Sequence, residues 1–469
     1  MRVMNSLNSR CTNDMTEGSV YKLLLAFSVP LLAGNSLQLL YNIVDVIIVG
    51  KYVSKEALAA VGSSGPLINM LIQFAVGLFN GASVLVARFF GSKDVKNLRN
   101  AIHTDILMSI ILGVIITVVG LLLTPIILRM MSTPDEIMPK AVSYLRIYFS
   151  GILSLMVYNA GASILTALGD SRRPLYILLV STAIHLTGDF IFVLVFHWGV
   201  AGVAASTVLA QCVSAILALI MLSQMNHSWK LRIQDLKIHF YILRQILHLG
   251  LPGGIQSSLI GFGNIFSQGY INGLGAIAMA GYASSQTVNL FVQLPMVIIG
   301  IAVSTFVAQN IGAGQVKRAR KGVRVALVMG ISSTFLFCWI LLLTGRIIMK
   351  FISPDEAVIN AAVQFIWVIM PFYFLMGGTN TLPSALRSAG RPLFPMFSNV
   401  FAIVVFRQVY LFFITKVNYS IITVGLGYPA AWLVGAILNS IYYYKSDWRH
   451  FEKKPDKSNT AVSEHMLTT

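Results

Sequence analysis

Charge is what this sequence has least of. Only 11% of its 469 residues are charged, while 56% are hydrophobic. An ordinary soluble domain carries about 25% charged residues. A soluble protein of this makeup would expose apolar surface on every side, so that class is excluded. Long apolar runs, in place of short alternating segments, exclude a transmembrane barrel. The three cysteines, Cys11, Cys212 and Cys338, stand apart from one another. They form no disulfide framework and no metal-ligand spacing. No Walker-type phosphate loop is present, which argues against direct ATP coupling. The polar N-terminus lacks the apolar core and small-residue cleavage site of a signal peptide, so the first apolar run is expected to stay as a helix. Acids are scarcer than bases, 17 against 34, for a net charge of +17. That excess does not point to nucleic acid. The bases sit in short loops between apolar runs, where orienting a membrane protein accounts for them.

What is present is a series of apolar runs long enough to cross a bilayer, which takes about 20 residues. Twelve are expected: roughly 22–50, 57–84, 100–127, 138–167, 175–197, 199–224, 246–271, 277–305, 322–346, 357–382, 393–416 and 422–444. The stretch His227–Phe240 mixes basic and apolar residues and reads as a linker on the membrane surface. The expected organisation is an N-terminal segment 1–21, an N-lobe 22–226, a linker 227–245, a C-lobe 246–444 and a tail 445–469. Basic clusters at Arg88–Arg99 and Lys317–Arg324, with Arg172 and Arg173, fall on one side of twelve spans; Lys51, Lys55, Lys140, Lys350 and Lys416 are scattered on the other. The positive-inside rule places both termini in the cytoplasm.

The chain repeats itself. ALGDSRRPL at Ala167–Leu175 parallels ALRSAGRPL at Ala385–Leu393, a shift of 391 − 173 = 218. STPDE at Ser132–Glu136 parallels ISPDE at Ile352–Glu356, and VARFFGSKDVK at Val86–Lys96 parallels VAQNIGAGQVK at Val307–Lys317. Six spans per repeat give both halves the same polarity. The expected fold is an all-α polytopic membrane protein: twelve transmembrane helices in two six-helix lobes, related by a pseudo-twofold along the membrane normal. Such parallel repeats are a transporter architecture, in which rocking lobes give alternating access.

Within the first span, Asn35, Gln38, Asn42 and Asp45 are spaced three, four and three apart, which places them on one helical face. Asp45 costs roughly 2.5 kcal/mol or more if it faces lipid, so it is expected to face protein or a water-filled cavity. The other deep acid is Asp189, which the 218 shift maps onto Arg407. Asp105 lies near a basic edge and is expected at the membrane interface. The acids are therefore confined to the N-lobe. Two carboxylates close together in a low-dielectric pocket cannot both ionise cheaply, so Asp45 and Asp189 are read as the binding place of a coupling cation. Plain burial among amides and hydroxyls is the alternative. His185 lies one helical turn before Asp189, and Tyr41 one turn before Asp45. Asn159 and Thr207 are candidates to complete the pocket.

In the C-lobe, Gln286, Asn289 and Gln293 form a second polar stripe, and with Met296 they are read as candidate lining of an adaptable substrate cavity. Inter-helix hydrogen bonding is the alternative. Arg407 needs an acceptor, either structural or an anionic group. Pro30, Pro66, Pro252, Pro295 and Pro371 fall within spans as candidate hinges. No positioned nucleophile or metal set accompanies His185 and Asp189, so an enzyme is not indicated.

YNIVD at Tyr41–Asp45, GDSRRP at Gly169–Pro174, Asp189 and GVAGVAAST at Gly199–Thr207 together resemble the multidrug and toxic compound extrusion (MATE) family. The resemblance runs from about Val20 to Tyr444 and is strongest to the DinF-like branch. It implies a monomeric antiporter of the plasma or bacterial inner membrane, without cofactor. Such an antiporter exports small amphipathic, often cationic, organic compounds in exchange for protons or sodium ions. It carries site roles over to Tyr41, Asp45, Asp189 and Thr207. His185 departs from that branch, which usually has asparagine there, and the acid of another branch is absent from the seventh span. A flippase for lipid-linked or other anionic amphiphiles, of related fold, is the alternative; few bases lie within the spans to serve it.

Overall fold

The computed structural model describes residues 14–53, 55–131, 133–225 and 227–446. Cys11, the side chains of Asn42, Lys51, Lys55 and Pro66, and the tail beyond Ser446 lie outside the described residues.

The apolar runs fold as helices because a helix satisfies its own backbone groups, which lipid cannot do. The N-lobe comprises α1 (Val20–Tyr52), α2 (Lys55–Gly91), α3 (Val95–Met130), α4 (Met138–Ser150) with α5 (Ile152–Ala167), α6 (Arg172–Asp189) and α7 (Val200–Ser223). The C-lobe comprises α8 (Phe240–Asn272), α9 (Ala276–Gly312), α10 (Val316–Ile352), α11 (Glu356–Ile369) with α12 (Leu382–Ser388), α13 (Leu393–Val400) with α14 (Arg407–Val417), and α15 (Ile421–Lys445). Counting α4–α5, α11–α12 and α13–α14 as one span each gives twelve. The helices outrun the apolar stretches: α2, α9 and α10 have 37 residues each, or about 55 Å. The short connections leave little chain for anything but continued helix. α8 likewise begins at Phe240, before the residue 246 expected from hydrophobicity.

Departures from regular helix fall where the sequence breaks the hydrogen-bond ladder or where charge is buried. Gly151 separates α4 from α5 with a 44° bend. Pro371 lies in a 3-10 stretch, Met370–Leu375, and a π-helical turn, Gly377–Thr381, follows it. Two further π-helical stretches flank charged residues: Phe190–Val195 follows Asp189, and Phe401–Phe406 precedes Arg407. The repeated turns each contain a glycine in the left-handed region, Gly169 at φ 83° and Gly390 at φ 87°, where a side chain would be strained.

The lobes meet at the end of the bundle that carries the basic loops. There α2 runs along α8 with no side chains between the backbones. A Cβ added at Gly81 would lie 2.2 Å from Gly250, and one at Gly77 would lie 2.5 Å from Gly254. Past them, a Cβ at Gly91 would lie 2.0 Å from the Gln309 carbonyl oxygen, and one at Gly312 would lie 2.1 Å from that of Arg88. Polar contacts lock the same end. Arg88 Nη2 donates to the Ser388 carbonyl at 2.7 Å, and Gln309 Nε2 donates to that of Ala167 at 2.8 Å. The structure is therefore a state closed at the basic end.

One helix belongs to both lobes. The first half of α1 (Val20, Leu24, Phe27, Leu31) packs into a core built from Ile298, Val303 and Phe306 of α9, while Gly34 lies against Leu178 of α6. The first span, expected in the N-lobe, thus also packs on the C-lobe. The apolar side chains of that first half meet a C-lobe core which the closed end brings within reach.

Candidate functional site

Asp45 lies in the second half of α1, beyond the C-lobe contact, and Asp189 ends α6. Between them stands His185. Its Nδ1 is 3.7 Å from Asp45 Oδ1, and its Nε2 is 3.9 Å from Asp189 Oδ2. One ligand atom from each of the three residues lies within 4.8 Å of the others. The grouping follows from sequence spacing: residues 185 and 189 are one turn apart on α6, and packing of α1 on α6 supplies the third member. Asp189 is fully buried, His185 nearly so, and Asp45 is about one-fifth exposed.

Partners hold one side of the cluster and leave the other free. His185 Nε2 lies 3.1 Å from Thr207 Oγ1 on α7. Ser206 Oγ, the neighbouring position, donates to Asp189 Oδ1. The His185 ring meets Tyr41 edge-on, with centroids 5.0 Å apart. Three atoms are buried without a hydrogen-bond partner: Asp45 Oδ1, His185 Nδ1 and Asp189 Oδ2. Buried polar atoms are normally paired, so an orphan on each of three residues clustered within ion-ligating distance marks a place that takes a ligand. Since no side of the triangle of ligand atoms exceeds 4.8 Å, its centre lies at most about 2.8 Å from each corner, close to the roughly 2.3–2.6 Å of oxygen–cation bonds. The cluster therefore has room for a small cation or for protons, and nothing larger.

The sequence-derived candidates divide cleanly. Asp45, Asp189, His185, Tyr41 and Thr207 come together. Tyr41 contributes its ring; Asp45 Oδ1 has no donor, so the Tyr41 hydroxyl does not reach that atom. Gln38 is half-buried on the same helix. Asn159 Nδ2 donates to the Leu155 carbonyl of its own helix at 2.8 Å. Asp105 is fully buried, with neither carboxylate oxygen bonded. Ser206 was missed. Its signal was the Ser-Thr pair that ends GVAGVAAST, from which only Thr207 was taken. Ser206→Ala leaves Asp189 without that donor. Ion-driven transport is expected to fall about tenfold, the worth of one hydrogen bond to a charged group, with Ser206→Thr close to wild type in the same flux assay.

The C-lobe stripe is a hydrogen-bonded chain. Gln286 Nε2 donates to Tyr282 Oη at 2.8 Å, Asn289 Nδ2 to Gln286 Oε1 at 2.6 Å, and Tyr373 Oη to Asn289 Oδ1 at 2.6 Å. Gln293 Nε2 reaches Tyr373 Oη at 3.4 Å. Met296 is fully buried in the C-lobe core, so in this state it lines no cavity. Asn289 is buried too, and only Gln286 and Gln293 are partly open. Arg407 Nη2 donates to Asn264 Oδ1 at 2.8 Å, and its guanidinium lies over the Tyr428 ring at 4.9 Å. The first and fifth spans thus meet through polar groups in both lobes, as a carboxylate pair in one and an amide–guanidinium pair in the other.

The MatE family model matches residues 30–191 and again 252–413, one copy in each lobe. The chain belongs to the MATE family. It is a multi-pass membrane transporter and not an enzyme. Among its relatives, the probable multidrug resistance protein YoeA of Bacillus subtilis is 31% identical over 448 residues, covering 93% of this chain and 96% of that one. The multidrug export protein MepA of Staphylococcus haemolyticus is 23% identical, over 80% of this chain and 83% of that one. A solved structure described as the outward-facing conformation of a multidrug resistance MATE family transporter superposes with a TM-score of 0.88 at 22% identity, covering 95% of this chain and all of that one. A transporter from Pyrococcus furiosus, described as having a binding pocket of reverse polarity, gives 0.87 at 21% identity, with 94% and 98% covered. This MATE chain therefore carries its two deep acids in the N-terminal copy of the family repeat and an arginine in the C-terminal copy.

Proposed function

We propose that this protein is a proton-driven antiporter that exports small amphipathic organic cations. Relatives named for multidrug resistance and export support the substrate class. One observation carries the choice of ion: a histidine stands within 4 Å of both acids. Hard cations such as sodium take oxygen ligands, and an imidazole in that place is a poor substitute. An imidazole beside two carboxylates is instead suited to exchanging protons at ordinary pH. Branch membership with the DinF-like transporters fits the N-lobe acids. Arg407, which would favour an anionic substrate, has Nη2 on Asn264 and its guanidinium over Tyr428, with Nε buried unbonded.

The cycle follows from the bridging helix. In the state closed at the basic end, Asp45 and Asp189 face the opposite side and take up protons there. Neutralised acids no longer hold α1 and α6 in the same relation. Movement of Asp45 is carried along α1 to its first half, which is packed on α9. The lobes then part at the basic end, protons leave and substrate enters. Substrate and proton must lower each other's affinity, as binding linkage requires. The basic end faces the cytoplasm of a plasma or bacterial inner membrane by the positive-inside rule, which places both termini there. The working unit is taken as the monomer.

The test uses purified protein in proteoliposomes loaded with a fluorescent organic cation. An imposed pH gradient without sodium is expected to drive uphill movement, and a sodium gradient at equal pH is expected to drive none. Transport that follows sodium and ignores pH would overturn the choice of proton.

A further inference from the structure

The linker between the lobes borders a cleft of its own. A cleft of about 780 Å³ opens between the start of α3 and the chain before α8, and it is lined by Lys96, Arg99, His103, Asp235, Lys237 and His239, among others. Its walls are fixed. His103 Nδ1 bonds the Arg99 carbonyl at 2.7 Å, and its Nε2 accepts from the Arg232 N–H at 3.1 Å. That pattern makes it a neutral ring serving as a pin. Thr104 Oγ1 accepts from the His239 N–H at 3.2 Å and donates to the Lys237 carbonyl at 3.4 Å. Arg99 pairs with Asp235, and its hydrogen bond holds that carboxyl below the usual range. Among the described residues, Lys96 and Lys237 are exposed and have no carboxylate within ion-pair distance. The cleft therefore keeps two uncompensated positive charges.

A second observation says what would meet them. The linker that forms one wall, and the start of α8 that follows it, hold three large apolar side chains in the open: Ile233, 83% exposed, Phe240, 81%, and Tyr241, 71%. Such side chains beside lysines suit the boundary between headgroups and acyl chains. A water-soluble phosphate would give the apolar three nothing to cover.

We propose that this cleft binds the phosphate headgroup of an anionic phospholipid, with Ile233, Phe240 and Tyr241 seated in the adjoining leaflet. Lys96 and Lys237 meet the phosphate, and Arg99 is drawn from Asp235 towards it. Because the linker is hydrogen-bonded to α3 of the N-lobe and runs directly into α8, which forms the closed end, an occupied cleft would bias how readily that end opens. The site depends on the proposed transport direction only for which leaflet supplies the lipid.

The test reads binding, so it stands apart from transport. The full chain in detergent is titrated with dioleoyl phosphatidylglycerol, with dioleoyl phosphatidylcholine and with glycerol 3-phosphate, and bound species are counted by native mass spectrometry. Phosphatidylglycerol is expected to bind, with phosphatidylcholine and glycerol 3-phosphate far weaker. Lys96→Gln with Lys237→Gln should weaken phosphatidylglycerol binding about 25-fold, roughly fivefold per lysine at a headgroup surface. Both lysines are exposed, so folding is not at risk, and Lys96→Arg with Lys237→Arg should retain binding. Unchanged binding in the glutamine variant overturns the site. Equal binding of phosphatidylcholine, or of glycerol 3-phosphate, overturns the anionic lipid as its ligand.

Discussion

Asp189→Asn is expected to abolish ion-driven export, lowering the uphill rate by about 100-fold or more, while the protein still folds. An amide cannot take up the coupling proton, so the step that links the ion to transport is lost; a 100-fold loss corresponds to about 2.8 kcal/mol. Asparagine keeps the shape of the side chain and an acceptor for Ser206, which bonds Asp189 Oδ1, so the packing of α6 on α7 has no reason to fail. Asp45→Asn should lose transport to a similar extent. The double variant should be no worse than either single one, because the two acids act as one unit with His185 between them. Flux in proteoliposomes under an imposed pH gradient reads the loss, and thermal unfolding in detergent reads the fold. Wild-type pumping in both single variants would leave the cluster without a part in coupling.

Gly81→Val is expected to stop transport by a different route. A Cβ at residue 81 would lie 2.2 Å from the Cα and the N of Gly250. Both are backbone atoms, with no rotamer to move aside. The lobes would have to part at the basic end. Overpacking costs about 1–3 kcal/mol and occasionally more; at the upper figure the closed population falls by roughly 150-fold. A transporter needs both states, so the cycle would stall with that end open. Spin labels on the two lobes at the basic end should show one longer distance, where the wild type shows the short one. Gly261→Ala is the control, since an added Cβ there meets nothing within 4 Å. A Gly81→Val protein that keeps the short distance and full flux would mean that α2 and α8 need not touch.

These two expectations draw on different levels of information. The acids were legible in the sequence because charge is so scarce there that a carboxylate in an apolar run stands out against its cost. His185 and Thr207 were legible as neighbours of those acids, one by helical spacing and the other by the resemblance. Ser206 was passed over because a serine in a small-residue helix is common and bonds its own backbone at little cost, as it also does here to Val203. Asn159 gives its Nδ2 to the Leu155 carbonyl of its own helix, a bond that the sequence does not reveal. Met296 was over-read because a methionine in a polar stripe looks the same whether it faces a cavity or a core. The full burial of Asp105 was not legible, because distance along the chain from a basic edge says nothing about which helices cover it.

The sequence by itself determined the class, the twelve spans, the duplicated halves and the confinement of acid to one half, since each follows from composition, periodicity or repetition along the chain. Only the tertiary structure decided that Asp45 and Asp189 meet across His185, that α1 is shared between the lobes, and that bare glycine backbones close the basic end. Those are contacts between residues far apart in the chain, 177 positions for Gly77 and Gly254 and 224 for Arg88 and Gly312. They depend on how helices turn and tilt against one another, a choice made by packing across the whole bundle and not by any local run of residues.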